Sequence, residues 1–463
     1  MIDWPLTLNF VTAGSPSLKM LEERFKEIAG PRRLVRWQTI FSRTNAGSQK
    51  ENRMKSMYFF LPTLPATLEE RRSQRPIANQ TERWQRMIEE VVELAQLAED
   101  VGFDAVCFPE HHLHSEGLEI GSLPTLTQHV IHNTKRIKVG PIGYVLPGWN
   151  PLRLALEISW LDQLTKGRTF VGFARGYQSR WLNQMAQKIH VQATTSDKSE
   201  TDRINREAFE EVFRFLKLAW ADEPFRFKGK YYEYPYPQEG TPWLAQEWTR
   251  QYGFPGEVDE LGRIQKISVV PKPYQKPHPP LFQAFSISEE TVRWCAREGI
   301  TPTILISQPP AVRKLAEAYR EEARKAGRTL DLGQGIGVLH AMYFAENRDK
   351  ARALARSGIC GVAFSQFFYH FGFFEAWREP EDEAKFPVAN GMLPQSECNI
   401  ERMERTDFAY TGTVDQVRQR LDAMVENIHP EWFVWQGDQG FLPKDEVRKQ
   451  IELFGKKVLP HYV

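Results

Sequence analysis

The run Glu110-His111-His112 sets a carboxylate and two imidazoles side by side just past the apolar, β-rich segment Phe103 to Phe108. An imidazole changes charge close to neutrality, so such a pair suits the donation or acceptance of a single proton. With His114 and Glu116 close behind, the same run also has ligand types suited to a metal ion, and a hydrogen-bonded histidine of purely structural use is the third reading. Side chains alternate along a strand, so His111 and His112 cannot both point the same way while the chain stays extended. Further along, Arg175 follows the apolar run Thr169 to Ala174 and offers a planar fork suited to phosphate. Ser286-Ile287-Ser288-Glu289-Glu290 follows Leu281 to Phe285 and opens a helix, where free backbone amides attract anions; Ser288 alone reads equally well as an N-cap. The stretches Gly140 to Pro147 and Gly172 to Gly176 concentrate small residues, leaving room for a planar ring against backbone.

These residues all stand where short β-rich runs end. From Met57 onward such runs alternate with segments of helical period, which predicts repeated βα units around a parallel sheet. The strands read as Met57 to Leu61, Phe103 to Phe108, Ile137 to Tyr144, Thr169 to Ala174, Leu281 to Phe285, Thr303 to Ile306, Gly335 to Phe344 and Glu431 to Trp435. Helices are predicted at Trp84 to Asp100, Ser122 to Asn133, Pro151 to Thr165 (capped by Asn150), Arg206 to Ala221, Glu289 to Arg297, Ala311 to Ala326, from Thr413 to about Asn427, and Lys444 to Val458. The count gives a (β/α)8 TIM barrel in one domain, residues 54–463, preceded by an N-terminal extension, residues 1–53. In that fold the strands' carboxyl ends share one mouth, which is why groups at strand ends are the candidates for chemistry.

Long insertions are expected at that mouth. Residues 177–205 are polar and patternless, as an active-site lid would be; residues 238–270 follow a predicted hairpin over Phe225 to Tyr236; residues 358–405 carry a dense aromatic run, Phe364 to Trp377, that reads as a packing segment or as a lid over an apolar pocket. The 463 residues include 60 Lys and Arg against 59 Asp and Glu, a formal charge of +1, so no global field draws the chain to nucleic acid or a membrane. Hydrophobic residues form 41% and charged ones 26%, ordinary for a chain with a sizeable core. Cys107, Cys295, Cys360 and Cys398 show no paired spacing, apolar runs fall short of a membrane span, and the N-terminus lacks a signal-peptide core. Together these point to a cytoplasmic protein that acts on a small molecule.

Taken in order, Glu110-His111-His112, Gly140 to Pro147, Leu161 to Arg168, Gly172 to Gly176, Gly412-Thr413, Gln416-Val417 and the closing Leu453-Phe454 to Val458-Leu459-Pro460 resemble the bacterial-luciferase-like flavin-dependent monooxygenases over about residues 57 to 463. The resemblance implies a barrel that receives reduced FMN from a separate NAD(P)H:flavin reductase and activates O2 at flavin C4a, with no metal, in a homodimer. By position, His111 matches the family's active-site histidine, with Glu110 beside it. Arg175 and Ser286 match flavin-phosphate contacts, with Ser288 nearby. Ile142-Gly143 match a bulged, often cis, peptide beneath the isoalloxazine ring. Ala174 stands in the same lining where luciferases proper carry a cysteine, and a threonine phosphate contact is replaced around Glu289. Three other readings accompany this one: an F420-dependent hydride-transfer oxidoreductase on the same fold, a catalytically silent flavin-binding protein, and a metal-dependent hydrolase.

Overall fold

The computed structural model describes residues 53–118, 121, 123–194 and 197–462. The expected N-terminal extension therefore lies outside the described residues, Arg53 excepted. Eight parallel strands run in ring order: β1 (Lys55–Phe59), β2 (Ala105–Phe108), β3 (Lys138–Pro141), β4 (Val171–Ala174), β5 (Leu281–Ser286), β6 (Thr301–Ile304), β7 (Gly337–Phe344) and β8 (Trp432–Gln436). β1 pairs with both β2 and β8, and a parallel bridge from Val139 to Thr169 joins β3 to β4. Two further strands extend this sheet: Tyr144–Val145 lies on β4, and Ala409–Gly412 lies on the outer half of β7.

The helices that return the chain are α1 (Thr81–Asp100), α2 (Leu123–His132), α3 (Pro151–Thr165), α4 (Glu200–Trp220), α5 (Glu289–Glu298), α6 (Pro309–Lys325), α7 (Val414–Ile428) and α8 (Lys444–Leu453). Their starts follow from local chemistry. Asn150 accepts from Arg153 N at 3.0 Å and Pro151 opens α3, while Thr413 and Gln416 form a reciprocal capping box on α7. No helix of the described residues is long and apolar enough to cross a membrane.

Register divides the side chains into two layers. Met57, Phe59, Cys107, Val434 and Gln436 share the inner face with Phe282, whose ring lies 5.1 Å from Phe170 and 5.5 Å from Trp432. Tyr58 and Trp435 face the helices, 5.4 Å apart, with Phe454 at 5.3 Å from Trp435. All four cysteines are free and buried.

The insertions carry more structure than their composition suggests. Residues 177–205 contain a helix, Ser179–Met185, and α4 begins at Glu200 because Ser199 caps it by accepting from Asp202 N. Residues 238–270 hold the helix Gln246–Tyr252 and a short antiparallel ladder between Thr241–Pro242 and Arg263–Ile264. In 358–405, π and 3-10 turns bury Phe364, Phe368, Phe373, Phe374 and Trp377. Arg402, 2% exposed, ties that segment down by donating to Trp377 O at 3.2 Å, Asp382 Oδ1 at 3.0 Å and Glu397 Oε2 at 2.8 Å.

Candidate active site

Because Cys107 faces inward, alternation beyond β2 carries His111 to the inner side and turns Glu110 and His112 the other way. The contacts agree. His111 is buried at the mouth, its Nε2 3.4 Å from Tyr177 Oη, with the His114 ring 6.3 Å away. Burial, reinforced by the nearby His114 and His112, holds its pKa well below the usual imidazole range, so the ring is neutral at neutral pH. A neutral ring presents one N–H donor and one lone pair.

Glu110 serves the loop after β3. Its carboxylate, 2% exposed, accepts from Val145 N at 2.7 Å and from Trp149 Nε1 at 3.0 Å, and His112 Nε2 lies 3.1 Å from it. His112 stacks edgewise on Trp181, ring centroids 5.0 Å apart. Glu110 and His112 thus brace the mouth from outside while His111 faces in. Among the described residues, no group of three or more His, Cys, Asp and Glu side chains is placed to hold a metal ion.

Between β3 and β4 the barrel has a floor made of backbone. A Cβ on Gly143 would come within 2.3 Å of Gly172 C, and one on Gly172 within 2.7 Å of Pro141 O, so neither position has room for a side chain. The Ile142-Gly143 peptide is cis, and Ala174 closes β4 beside it with a half-buried methyl group.

Cations and a buried hydroxyl gather at the ends of the neighbouring strands β4 and β5. Arg175 Nη1 lies 2.9 Å from Asp202 Oδ1 on α4, and Asn205 of the same helix donates to Arg175 O at 3.1 Å. Arg206 stands near enough to Arg175 for the two charges to repel, and its Nη1 reaches within 3.7 Å of Glu290 Oε1 in the first turn of α5. The β5–β6 ladder shifts register between Gln283 and Ser286, where Phe285 takes φ 44° and its ring meets Phe59 of the inner face at 5.5 Å. Ser286 is 1% exposed and its hydroxyl has no hydrogen-bond partner among the described residues. A buried hydroxyl without a partner costs free energy unless a ligand satisfies it. α5 opens three residues further on, and a helix N-terminus suits an anion. Ser288 is exposed and caps α5 instead, accepting from Thr291 N at 3.2 Å.

Over the mouth lies the aromatic run. Phe371 and Phe373 meet the Tyr177 ring at 5.0 and 5.2 Å, Phe367 meets His114 at 5.7 Å, and Phe373 reaches Phe285 at 5.9 Å. Asp438, just past β8, anchors the start of this segment by accepting from Ile359 N at 2.7 Å and Tyr343 Oη at 3.0 Å, and burial pushes its carboxyl up to about 7. Tyr177, which the sequence places at the start of a lid, and Arg206, which looks like one more solvated cation on a helix, join the sequence candidates His111, Arg175 and Ser286 only through their contacts.

A parallel barrel that turns a neutral imidazole, a backbone floor and a cationic rim toward one mouth is built as an enzyme for small molecules. The family model described as luciferase-like monooxygenase matches residues 54–429, and the chain belongs to that family. It is 26% identical over 341 residues to the 3,6-diketocamphane 1,6-monooxygenase of Pseudomonas putida, covering 72% of this chain and 82% of that one. The solved oxygenating constituent of the Pseudomonas putida 3,6-diketocamphane monooxygenase, a type II Baeyer-Villiger monooxygenase in complex with FMN, superposes with a TM-score of 0.63 at 21% identity, over 89% of this chain and 99% of that one. An F420-dependent secondary alcohol dehydrogenase in complex with an F420-acetone adduct shares the fold at a TM-score of 0.55 and 15% identity, over 89% of this chain and 99% of that one.

Proposed function

We propose that this monooxygenase is the oxygenating component of a two-component system: a separate NAD(P)H:flavin reductase supplies reduced FMN, and one atom of O2 enters a compact organic substrate, a cyclic ketone by analogy with the diketocamphane enzymes. The other oxygen atom leaves as water, and FMN leaves oxidised. The observation that carries the reading is the unpartnered, buried Ser286 hydroxyl at the end of β5, the strand paired with the one that leads into Arg175, while Arg206 reaches Glu290 in the first turn of α5 and the neighbouring floor has no room for side chains. These residues fit a flat ring that ends in a phosphate.

Bound reduced FMN supplies the electrons and itself reacts with O2. The chain's task is to hold the ring, keep water away and manage one proton. Gly143, Gly172, Ile142 and Ala174 would line the ring; Ser286, Arg175 and Arg206 would take the phosphate, where incoming charge competes with Asp202 for Arg175. Ser288 contributes by fixing the start of α5. His111, held neutral, gives or accepts a proton without a buried charge beforehand. Phe371 and Phe373 exclude water above Tyr177. The likeness to diketocamphane and alkanal monooxygenases supports oxygen chemistry over hydride transfer to F420. A homodimer would cover the outer face of α3, where Trp160 and Leu164 are half exposed four residues apart.

The test supplies FMN reduced by an NADH-driven reductase, 18O2 and a bicyclic ketone. The expected result is one 18O atom in the product. His111→Ala is expected to melt and bind FMN like the parent while releasing the oxygen as hydrogen peroxide. Alcohol oxidation with F420 and no uptake of O2 would overturn the assignment.

A further inference from the structure

Strand β8 reads Trp432-Phe433-Val434-Trp435-Gln436, four apolar residues and then a carboxamide at the carboxyl end, the end that forms the mouth. Alternation fixes where that carboxamide points. Trp432 reaches the Phe282 ring of the inner face at 5.5 Å, and Trp435 packs with Tyr58 and Phe454 on the helix side. Gln436 therefore turns into the barrel, beside Phe59, its partner in register. It is 2% exposed, and its Nε2 has no hydrogen-bond partner among the described residues. The rings beside it are apolar: Phe59 meets Phe285 at 5.5 Å, Phe285 meets Phe373 of the aromatic run at 5.9 Å, and Phe373 meets Tyr177 at 5.2 Å. In the ring of eight, β8 stands four strands from β4, so the carboxamide faces the backbone floor from across the mouth.

A buried NH2 with nothing to receive it costs free energy unless a ligand accepts from it. Its uncharged, apolar surroundings suit a neutral oxygen, unlike the phosphate suited to Arg175 and Arg206. We propose that Gln436 is a substrate-binding residue: its NH2 holds the carbonyl oxygen of a ketone whose hydrocarbon body lies against Phe59, Phe285 and Phe373. A carbonyl only accepts and an amide NH2 only donates, so the pair tells a ketone from a hydrocarbon of the same shape, which would leave the donor unpaired. The bond also draws electron density toward the oxygen and makes the carbonyl carbon easier to attack. The oxygenation of that ketone rests on the flavin reading above; its binding does not.

The experiment uses the full chain, without flavin and with oxidised FMN, and two probes of one shape: norbornan-2-one labelled with 13C at the carbonyl, and norbornane. The parent is expected to bind the ketone more tightly than the hydrocarbon and to lower the infrared stretch of the labelled carbonyl. Gln436→Met keeps the length of the side chain and removes the amide. It should weaken the ketone about fivefold, the worth of one neutral hydrogen bond, leave norbornane unchanged and return the carbonyl stretch to a higher frequency. It should also melt no lower than the parent, because it spares the chain an unpaired buried donor; Gln436→Leu repeats the measurement with a second shape. A ketone preference or a carbonyl stretch indifferent to both substitutions overturns the proposal, as does a parent that holds the two probes equally. A lower melting temperature in both variants marks a structural glutamine and overturns it too. The flavin reading fails separately: a ketone preference that follows Gln436 in a chain that binds no FMN refutes that reading and leaves the carbonyl site standing.

Discussion

Glu110→Gln is the substitution that best separates an anchor from a reacting group. The change keeps the volume and removes one acceptor and the charge. Two of the groups that Glu110 receives, Val145 N at 2.7 Å and Trp149 Nε1 at 3.0 Å, are donors only. A glutamine oxygen at the Oε2 position can accept from both, since Trp149 Nε1 also lies 3.1 Å from Oε2, and its NH2 then faces His112 Nε2 in a site 2% exposed, so what is lost is the charge. Turning the two charge-assisted bonds into neutral ones costs up to about 1 kcal/mol each. The expected loss is therefore about 1–2 kcal/mol, seen as a melting temperature lower by a few degrees. The damage falls on the loop after β3, which carries Ile142 and Gly143, so FMN affinity, followed by quenching of its fluorescence, should weaken together with stability. A Glu110→Gln protein that melts with the parent and binds FMN unchanged, yet has lost turnover, would refute this argument and make Glu110 a reacting group.

The other predictions concern the rim, the floor and the anchor of the aromatic segment. Ser286→Ala should weaken FMN about tenfold, the worth of one hydrogen bond to a charged group at about 1.5 kcal/mol, and should leave riboflavin binding unchanged; equal losses for both ligands would remove Ser286 from the phosphate site. Gly172→Ala puts a methyl group 2.7 Å from Pro141 O and 2.8 Å from Ile142 Cα, both backbone, and should destabilise by about 1–3 kcal/mol in a thermal melt. Asp438, with its folded pKa raised to about 7 from 3.8, binds a proton more readily folded than unfolded, so its contribution is fully present below pH 4 and is lost as pH rises through 7. Between pH 4 and pH 8 the parent should lose roughly 4 kcal/mol relative to Asp438→Asn, measured as the difference between their denaturation midpoints; parallel pH profiles would show that Asp438 titrates normally.

The parts of this site that were legible in the sequence are those governed by local rules. Alternation along a strand separates His111 from its neighbours, and βα order brings Arg175 and Ser286 to adjacent strand ends before any coordinate is known. What was hidden depends on partners far away in the chain. Glu110 looks like a companion to His111 because sequence shows adjacency, whereas its work is decided by donors up to 39 residues later. Arg206 and Asp202 lie on an amphipathic helix where charges usually face water, and only the packing of α4 against the mouth turns them toward Arg175, 27 residues before Asp202. The helix Ser179–Met185 buries only Trp181 and Leu182, too little apolar surface to give a period against its polar neighbours. Yet that helix supplies a donor-only indole to Gln178, and Trp149 supplies one to Glu110. A donor that cannot accept fixes the direction of every bond it enters, so Trp181, which composition alone assigns to the core, decides which end of the Gln178 amide carries its oxygen.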